Sequence, residues 1–344
     1  MAEMQRGAGR RLDRREGVRM ARDSMTRRPV TARGGKGPVR PAGRASIARR
    51  PTSRLRVILG ILLVGAVLAA LLVVRAGRGA GQALATLETG DFHALAFSPT
   101  DPDVAFFGHH NGVLRTGDGG TTWTPLVDRC GFDAMNLVVS RADPRLLYLA
   151  GHDVFQTSTD GGVTWRPVAH NLPGTDIHGF AMDPDDAARL SALVVGHGAF
   201  TSGDGGRTWQ PLVGQLPGDV MALASAGGSP ETLYAASMSA DVLRSTDGGR
   251  SWAPAANGLD GRGVMALVVD PADHRTVYAG GAGGLYTSAD GGTSWTRSPF
   301  PGDNVAALAV SPARPGRVLA IAVQGRQGRV YRSDDGGQSW GGGH

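Results

Sequence analysis

The chain has 344 residues and nine histidines, of which seven fall between positions 93 and 197: His93, His109, His110, His152, His170, His178 and His197. One cysteine, Cys130, and the aspartates Asp128, Asp133 and Asp176 lie in the same stretch. Imidazoles with carboxylate, thiol and thioether groups nearby are the donor set of copper or zinc sites. No H-E-x-x-H, C-x-x-C or Gly-rich phosphate loop makes such a site locally. These side chains form a site only if larger elements bring them to one place.

Those elements are announced by a repeat. The nonapeptides RTGDGGTTW (115–123), TSTDGGVTW (157–165), TSGDGGRTW (201–209), RSTDGGRSW (244–252), TSADGGTSW (287–295) and RSDDGGQSW (332–340) place Asp118, Asp160, Asp204, Asp247, Asp290 and Asp335 at spacings of 42, 44, 43, 43 and 45. All six tryptophans close a copy: Trp123, Trp165, Trp209, Trp252, Trp295 and Trp340. Asp-Gly-Gly supplies the positive-φ residues of a hairpin tip, and the Asp carboxylate and the preceding hydroxyl can bond turn amides. Two alternating apolar runs precede each copy, for instance HALAFSP (93–99) then VAFF (104–107), and a short run follows every copy but the last. Four strands per roughly 43 residues are the pattern of a β-propeller blade, and six blades are expected. Gln82–Glu88 has no other assignment and is expected to supply the missing outer strand of blade six, closing the ring.

The motif S/T-x-D-x-G-x-T/S-W resembles the Asp-box, or BNR, repeat, and the resemblance covers nearly all of 79–344. Such repeats occur in sialidases, xyloglucan-degrading hydrolases, sortilin-like sorting receptors and photosystem assembly factors. The chain looks most like small bacterial exported BNR-repeat proteins that carry a glycosyl hydrolase label. The resemblance implies an all-β propeller and is nearly silent on function. It also implies that the Asp-box turns sit on the face opposite the ligand-binding top face, so the six Asp118-type carboxylates and their tryptophans are expected to be structural.

In propeller register, His93 and His178 open the innermost strands of blades one and three, where Met135, Met221 and Met265 stand in blades two, four and five. His110, His152 and His197 end second strands, His109 is adjacent, and His170 and Cys130 lie in connections between blades. All map to the top face of three neighbouring blades. His274 and His344 do not. A copper or zinc site is expected from His93, His109, His110, His152, His178 and His197, with Cys130, Asp133, His170 and Asp176 as pocket or supporting residues. Duplicated strand caps would give the same residues, but would recur in blades four to six, where histidine is missing from these positions. A glycan or peptide pocket lined by these rings, and a protein-docking platform, are further readings.

Glycoside hydrolysis is the alternative class. It needs two carboxyl groups across a pocket. The five tyrosines (148, 234, 278, 286, 331) sit at repeated strand positions, as core residues do, no Arg-Ile-Pro segment precedes the first box, and the only glutamates after residue 79 are Glu88 and Glu231. Sialidase chemistry is thereby disfavoured, leaving Asp128, Asp133 and Asp176 as candidate acids.

Composition divides the chain. Residues 1–56 hold 17 Lys and Arg against 4 acids, whereas 79–344 hold 17 Arg against 26 acids, a net charge of −9. Nucleic acid is therefore not an expected partner of the propeller, and one Cys and one Lys exclude a disulfide scaffold and a long coiled coil. The uncharged run Val57–Val74 would span roughly 27 Å as a helix. The expected organisation is a basic cytoplasmic tail (1–53), a transmembrane signal-anchor (54–78) and an extracytoplasmic propeller (79–344). Ala83-Leu84-Ala85 would serve a cleaved secretory signal, making a secreted product the alternative.

Overall fold

The computed structural model describes residues 81–259 and 263–341. The expected tail and membrane anchor, and His344, lie outside the described residues. Among the described residues no helix is long and apolar enough to cross a membrane.

Six four-stranded antiparallel sheets follow one another as blades. Blade one is β2 (Ala94–Phe97), β3 (Ala105–His109), β4 (Gly112–Thr116) and β5 (Thr124–Asp128). Blade two is β6 (Asn136–Val139), β7 (Leu147–Gly151), β8 (Val154–Ser158) and β9 (Arg166–Pro167). Blade three comprises β10 (Ile177–Met182), β11 (Leu190–Val194), β12 (Gly198–Ser202) and β13 (Gln210–Pro211). Blade four comprises β14 (Val220–Ser225), β15 (Leu233–Ser237), β16 (Asp241–Ser245) and β17 (Ala253–Pro254). Blade five is β18 (Val264–Val269), β19 (Val277–Gly281), β20 (Gly284–Ser288) and β21 (Thr296–Arg297). Blade six takes β22 (Val305–Val310), β23 (Val318–Gln324) and β24 (Gln327–Ser333) from the C-terminal end and β1 (Ala85–Glu88) from the start, with Ala85 opposite Val330 and Glu88 opposite Gln327. Arg317, 4% exposed, bridges the seam: its guanidinium donates to Asp334 of blade six at 2.7 Å and to Asp103 and the Pro102 carbonyl of blade one.

Each Asp box is a closed hydrogen-bond circuit. In blade two the Ser158 hydroxyl donates to Asp160 Oδ1 (2.8 Å) and accepts from the Gly162 amide (2.8 Å), while Asp160 accepts the Thr164 amide (2.9 Å) and hydroxyl (2.5 Å). Gly161 and Gly162 hold φ of 80° and 89°, which side chains rarely adopt. The same circuit recurs around Asp118, Asp204, Asp247, Asp290 and Asp335. It explains why Asp160 and Asp290 are held down to about 2: hydroxyl and amide donors favour the carboxylate. These carboxylates are spent on turns.

The tyrosines tie blades together. Tyr148, Tyr234 and Tyr278 donate their hydroxyls to Gly205, Gly291 and Gly336, each in the Asp box of the next blade. Burial pushes the Tyr278 hydroxyl up to about 12.

Candidate functional site

The inner strands surround a central cavity of about 220 Å³, lined at one end by His93, Met135, Met221 and Met265. Its lining among the described residues carries no carboxylate. The top-face side chains gather beside it, over blades one to three.

Two positions per blade build the cluster. The first precedes or opens the inner strand. Pairing of Ala94 with Gly108, Asn136 with Ala150 and Gly179 with Leu193 puts His93, Met135 and His178 in one register. In β10 the pairing shifts between Ile177 and Gly179, so His178 sits in a bulge, a device that re-aims a side chain. The second position is the turn after the second strand, and the same pairings place His110, His152 and Val195 there.

The carboxylates come from the residue two before each inner-strand position: Asp91, Asp133 and Asp176. Asp91 Oδ1 accepts the His110 amide (2.8 Å), and its Oδ2 lies against His110 Nδ1. Asp133 repeats this in blade two: Oδ2 accepts the His152 amide at 3.1 Å and meets His152 Nδ1 at 2.5 Å. Holding Nδ1–H in this way leaves His152 Nε2 free to bind. That atom lies 3.2 Å from His178 Nε2 and 3.8 Å from Asp176 Oδ1, which is itself 3.2 Å from His178 Nε2. On the other side His93 Nε2 is 3.0 Å from His110 Nδ1, and Asp133 Oδ1 faces both nitrogens at 3.9 and 3.8 Å. Asp133 is 3% exposed, yet its Oδ1 has no hydrogen-bond partner, and neither has the buried Oδ1 of Asp176.

These contacts form three overlapping groups with metal-ligand spacing: Asp91, His93 and His110; His110, Asp133 and His152; His152, Asp176 and His178. Two imidazole nitrogens on one tetrahedral zinc at about 2.0–2.1 Å stand roughly 3.3 Å apart, close to the His–His separations observed. Burial lowers the His93 pKa against the opposing pull of Asp91 and Asp133, which keeps a lone pair available near neutral pH.

Four of the expected ligands do come together: His93, His110, His152 and His178, with Asp133 and Asp176. The other expected residues lie elsewhere. His109 stacks on Phe107 (5.9 Å between centroids) and accepts the Asn111 amide through Nδ1, since neighbours on a strand point to opposite sides. His197 is exposed two residues beyond Val195, the blade-three equivalent of His110, with its ring beside Gly174. His170 packs edge-on against Phe155 at 5.6 Å and accepts the Leu172 amide. Cys130 is a free, exposed thiol outside all three groups. Asp91 was not among the expected residues. The spacing Asp-x-His, shared by Asp91–His93 and Asp176–His178, was the available signal.

The candidate acids for hydrolysis are also placed. Asp133 and Asp176 are engaged with imidazoles, and Asp128 ends β5. Glu88 pairs with exposed Gln327 on the closing strand, and Glu231 is buried against the Ser225 hydroxyl (2.5 Å), its pKa raised by burial.

Comparison with known families agrees with the fold. The profile of the "Sortilin, neurotensin receptor 3" family matches residues 240–342, and that of the BNR/Asp-box repeat matches 156–167. No curated protein matches the chain. Among solved structures, a GH74 xyloglucanase from Xanthomonas campestris is 23% identical, with a TM-score of 0.53, over 75% of this chain and 46% of that one. This chain therefore spans about half the length of that enzyme. YCF48 from Cyanidioschyzon merolae aligns over 74% of this chain and 98% of its own, at 18% identity and a TM-score of 0.48.

Proposed function

From the premise that the chain is a BNR/Asp-box repeat propeller protein, we propose that it is a metal-binding module, taking zinc or copper through the His–Asp cluster on the top face of blades one to three. One observation carries the reading: four imidazoles and three carboxylates from three separate blades converge, and two buried carboxylate oxygens in the cluster lack any donor. An unpaired buried carboxylate oxygen costs stability unless a cation or donor meets it. Bound cations would satisfy these oxygens together with the imidazole nitrogens beside them.

The neighbouring methionines add soft donors at the mouth of the cavity, which would suit copper in its reduced state. The apolar run 57–74 and the basic residues before it favour display of this face outside the cytoplasm from a membrane anchor. A protein or glycan partner would then meet the metal-bearing surface. Glycoside hydrolysis is left with likeness of fold alone, because the described residues that line the central cavity offer no facing pair of carboxyl groups.

The test is metal content of the purified, untagged full-length protein after dialysis against zinc or copper. Retention near stoichiometry that disappears in His93→Ala/His152→Ala supports the reading. Equal retention by the variant, or none in either protein, overturns it.

A further inference from the structure

We infer that the cluster is two metal subsites sharing one carboxylate, Asp133; the inference rests on the metal-binding reading above and specifies how many ions are held and by which atoms. The first subsite is Asp91 Oδ2, His93 Nε2, His110 Nδ1 and Asp133 Oδ1, with the His110 proton on Nε2 so that Asp91 Oδ2 stands beside Nδ1 as a second ligand and not as its hydrogen-bond acceptor, and the second is His152 Nε2, His178 Nε2 and Asp176 Oδ1.

The two oxygens of Asp133 separate the subsites. Oδ2 is committed to the amide and Nδ1 of His152, so it orients a ligand of the second subsite without reaching that ion. Oδ1 is buried, has no donor and points at the two nitrogens of the first. Asp176 Oδ1, the other donor-less oxygen, points at the second pair. Each subsite thus owns one unsatisfied oxygen and one close pair of imidazole nitrogens. A single ion does not take both pairs: each pair faces its own donor-less oxygen, and the His110 and His152 rings, one from each pair, stand 5.7 Å apart at their centroids. The subsites also differ in closure. Four protein ligands complete the first, whereas the second has three, with His152 and Asp176 nearly half exposed, and so keeps a coordination position for water or an added ligand.

The experiment is calorimetric titration of chelator-stripped full-length protein with Zn²⁺, repeated with Co²⁺ to read the visible spectrum, each variant being checked for a wild-type thermal transition. Two equivalents are expected for the wild type. His93→Ala should keep one, and Asp176→Asn/His178→Ala should keep one with a different cobalt spectrum. The isosteric Asp133→Asn should lose the first and weaken the second by about 10–100-fold, as loss of an orienting partner does. Azide should change the cobalt spectrum of His93→Ala, which retains the open subsite, and leave that of Asp176→Asn/His178→Ala unaltered. One equivalent in the wild type, kept by His93→Ala and by Asp176→Asn/His178→Ala and lost only in Asp133→Asn, would mean a single ion held by His110, Asp133 and His152 and would overturn the inference while sparing the metal reading. No uptake by the wild type would overturn both.

Discussion

In blade two, Asp133, Met135 and His152 occupy the register that Asp219, Met221 and Met238 hold in blade four. Asp219 Oδ1 accepts the Ser237 hydroxyl at 2.7 Å, and hydroxyl donors from Ser239 and Ser237 hold its carboxyl below the usual range. Asp133 meets imidazoles instead and keeps one oxygen without a donor. The same backbone therefore carries a finished structural carboxylate in one blade and an unfinished one in another. Blade five has Gly263 at this position and blade six has Asn304. The fold requires a turn there, and among the described residues only blades one to three set its carboxylate against imidazoles.

The contrast is broken most forcefully by exchanging the two carboxylates' fates. His93→Ala/His152→Ala should lower metal affinity by at least about 100-fold, since each subsite loses a ligand, while Asp219→Asn should leave affinity within about twofold. Dialysis with elemental analysis separates the two results. Loss of binding in Asp219→Asn would erase the distinction between the blades.

Arg317 joins blade six to blade one, and so the half without the His–Asp cluster to the half that carries it. Its replacement by Ala should cost about 2 kcal/mol in denaturant unfolding, below the usual cost of breaking a buried pair because Asp103 and Asp334 reach solvent. An unchanged midpoint would mean that the β1–β24 pairing alone holds the seam.

A smaller difference separates blades three and four at their box tryptophans. Trp209 is buried and its indole donates to the Gly206 carbonyl at 2.8 Å, whereas the buried Trp252 Nε1 finds no partner. Trp209→Phe should therefore destabilise by about 1 kcal/mol more than Trp252→Phe in thermal or chemical unfolding. Equal losses would show that the bond contributes nothing net.

The Asp boxes should not distinguish the halves at all. Asp160 in blade two and Asp290 in blade five are both held at about 2 against 3.8 for the free side chain. A depressed folded pKa gives stability that is complete above about pH 4 and fades as pH falls toward 2. Asp160→Asn and Asp290→Asn should each flatten that part of the acid-unfolding profile by similar small amounts, read by circular dichroism in metal-free protein.

Much of this was legible in the sequence because a repeat fixes register. Six Asp-Gly-Gly turns and six tryptophans set the blade count, and the run before blade one left a strand without another place, now found at Ala85–Glu88. His93 and His178 could be put at the same register of their blades from their position relative to the inner strands. His109 and His197 could not be excluded the same way: strand alternation decides the first and a two-residue offset inside a turn decides the second, and neither is fixed by distance to the Asp box. Asp91 lies just upstream of the first apolar run, outside the register that the runs define, and only the Asp-x-His spacing marks it. The unpaired oxygens of Asp133 and Asp176 are legible only in three dimensions, since they depend on which donors the neighbouring blade brings.

The most direct test of the central claim is anomalous diffraction at the zinc edge from crystals of the full-length chain grown with zinc. The account predicts anomalous density on the top face, within bonding distance of His152 Nε2 and His178 Nε2 or of His93 Nε2 and His110 Nδ1. Density confined to His274, His197 or other isolated surface side chains, with none among blades one to three's converging rings, would contradict it.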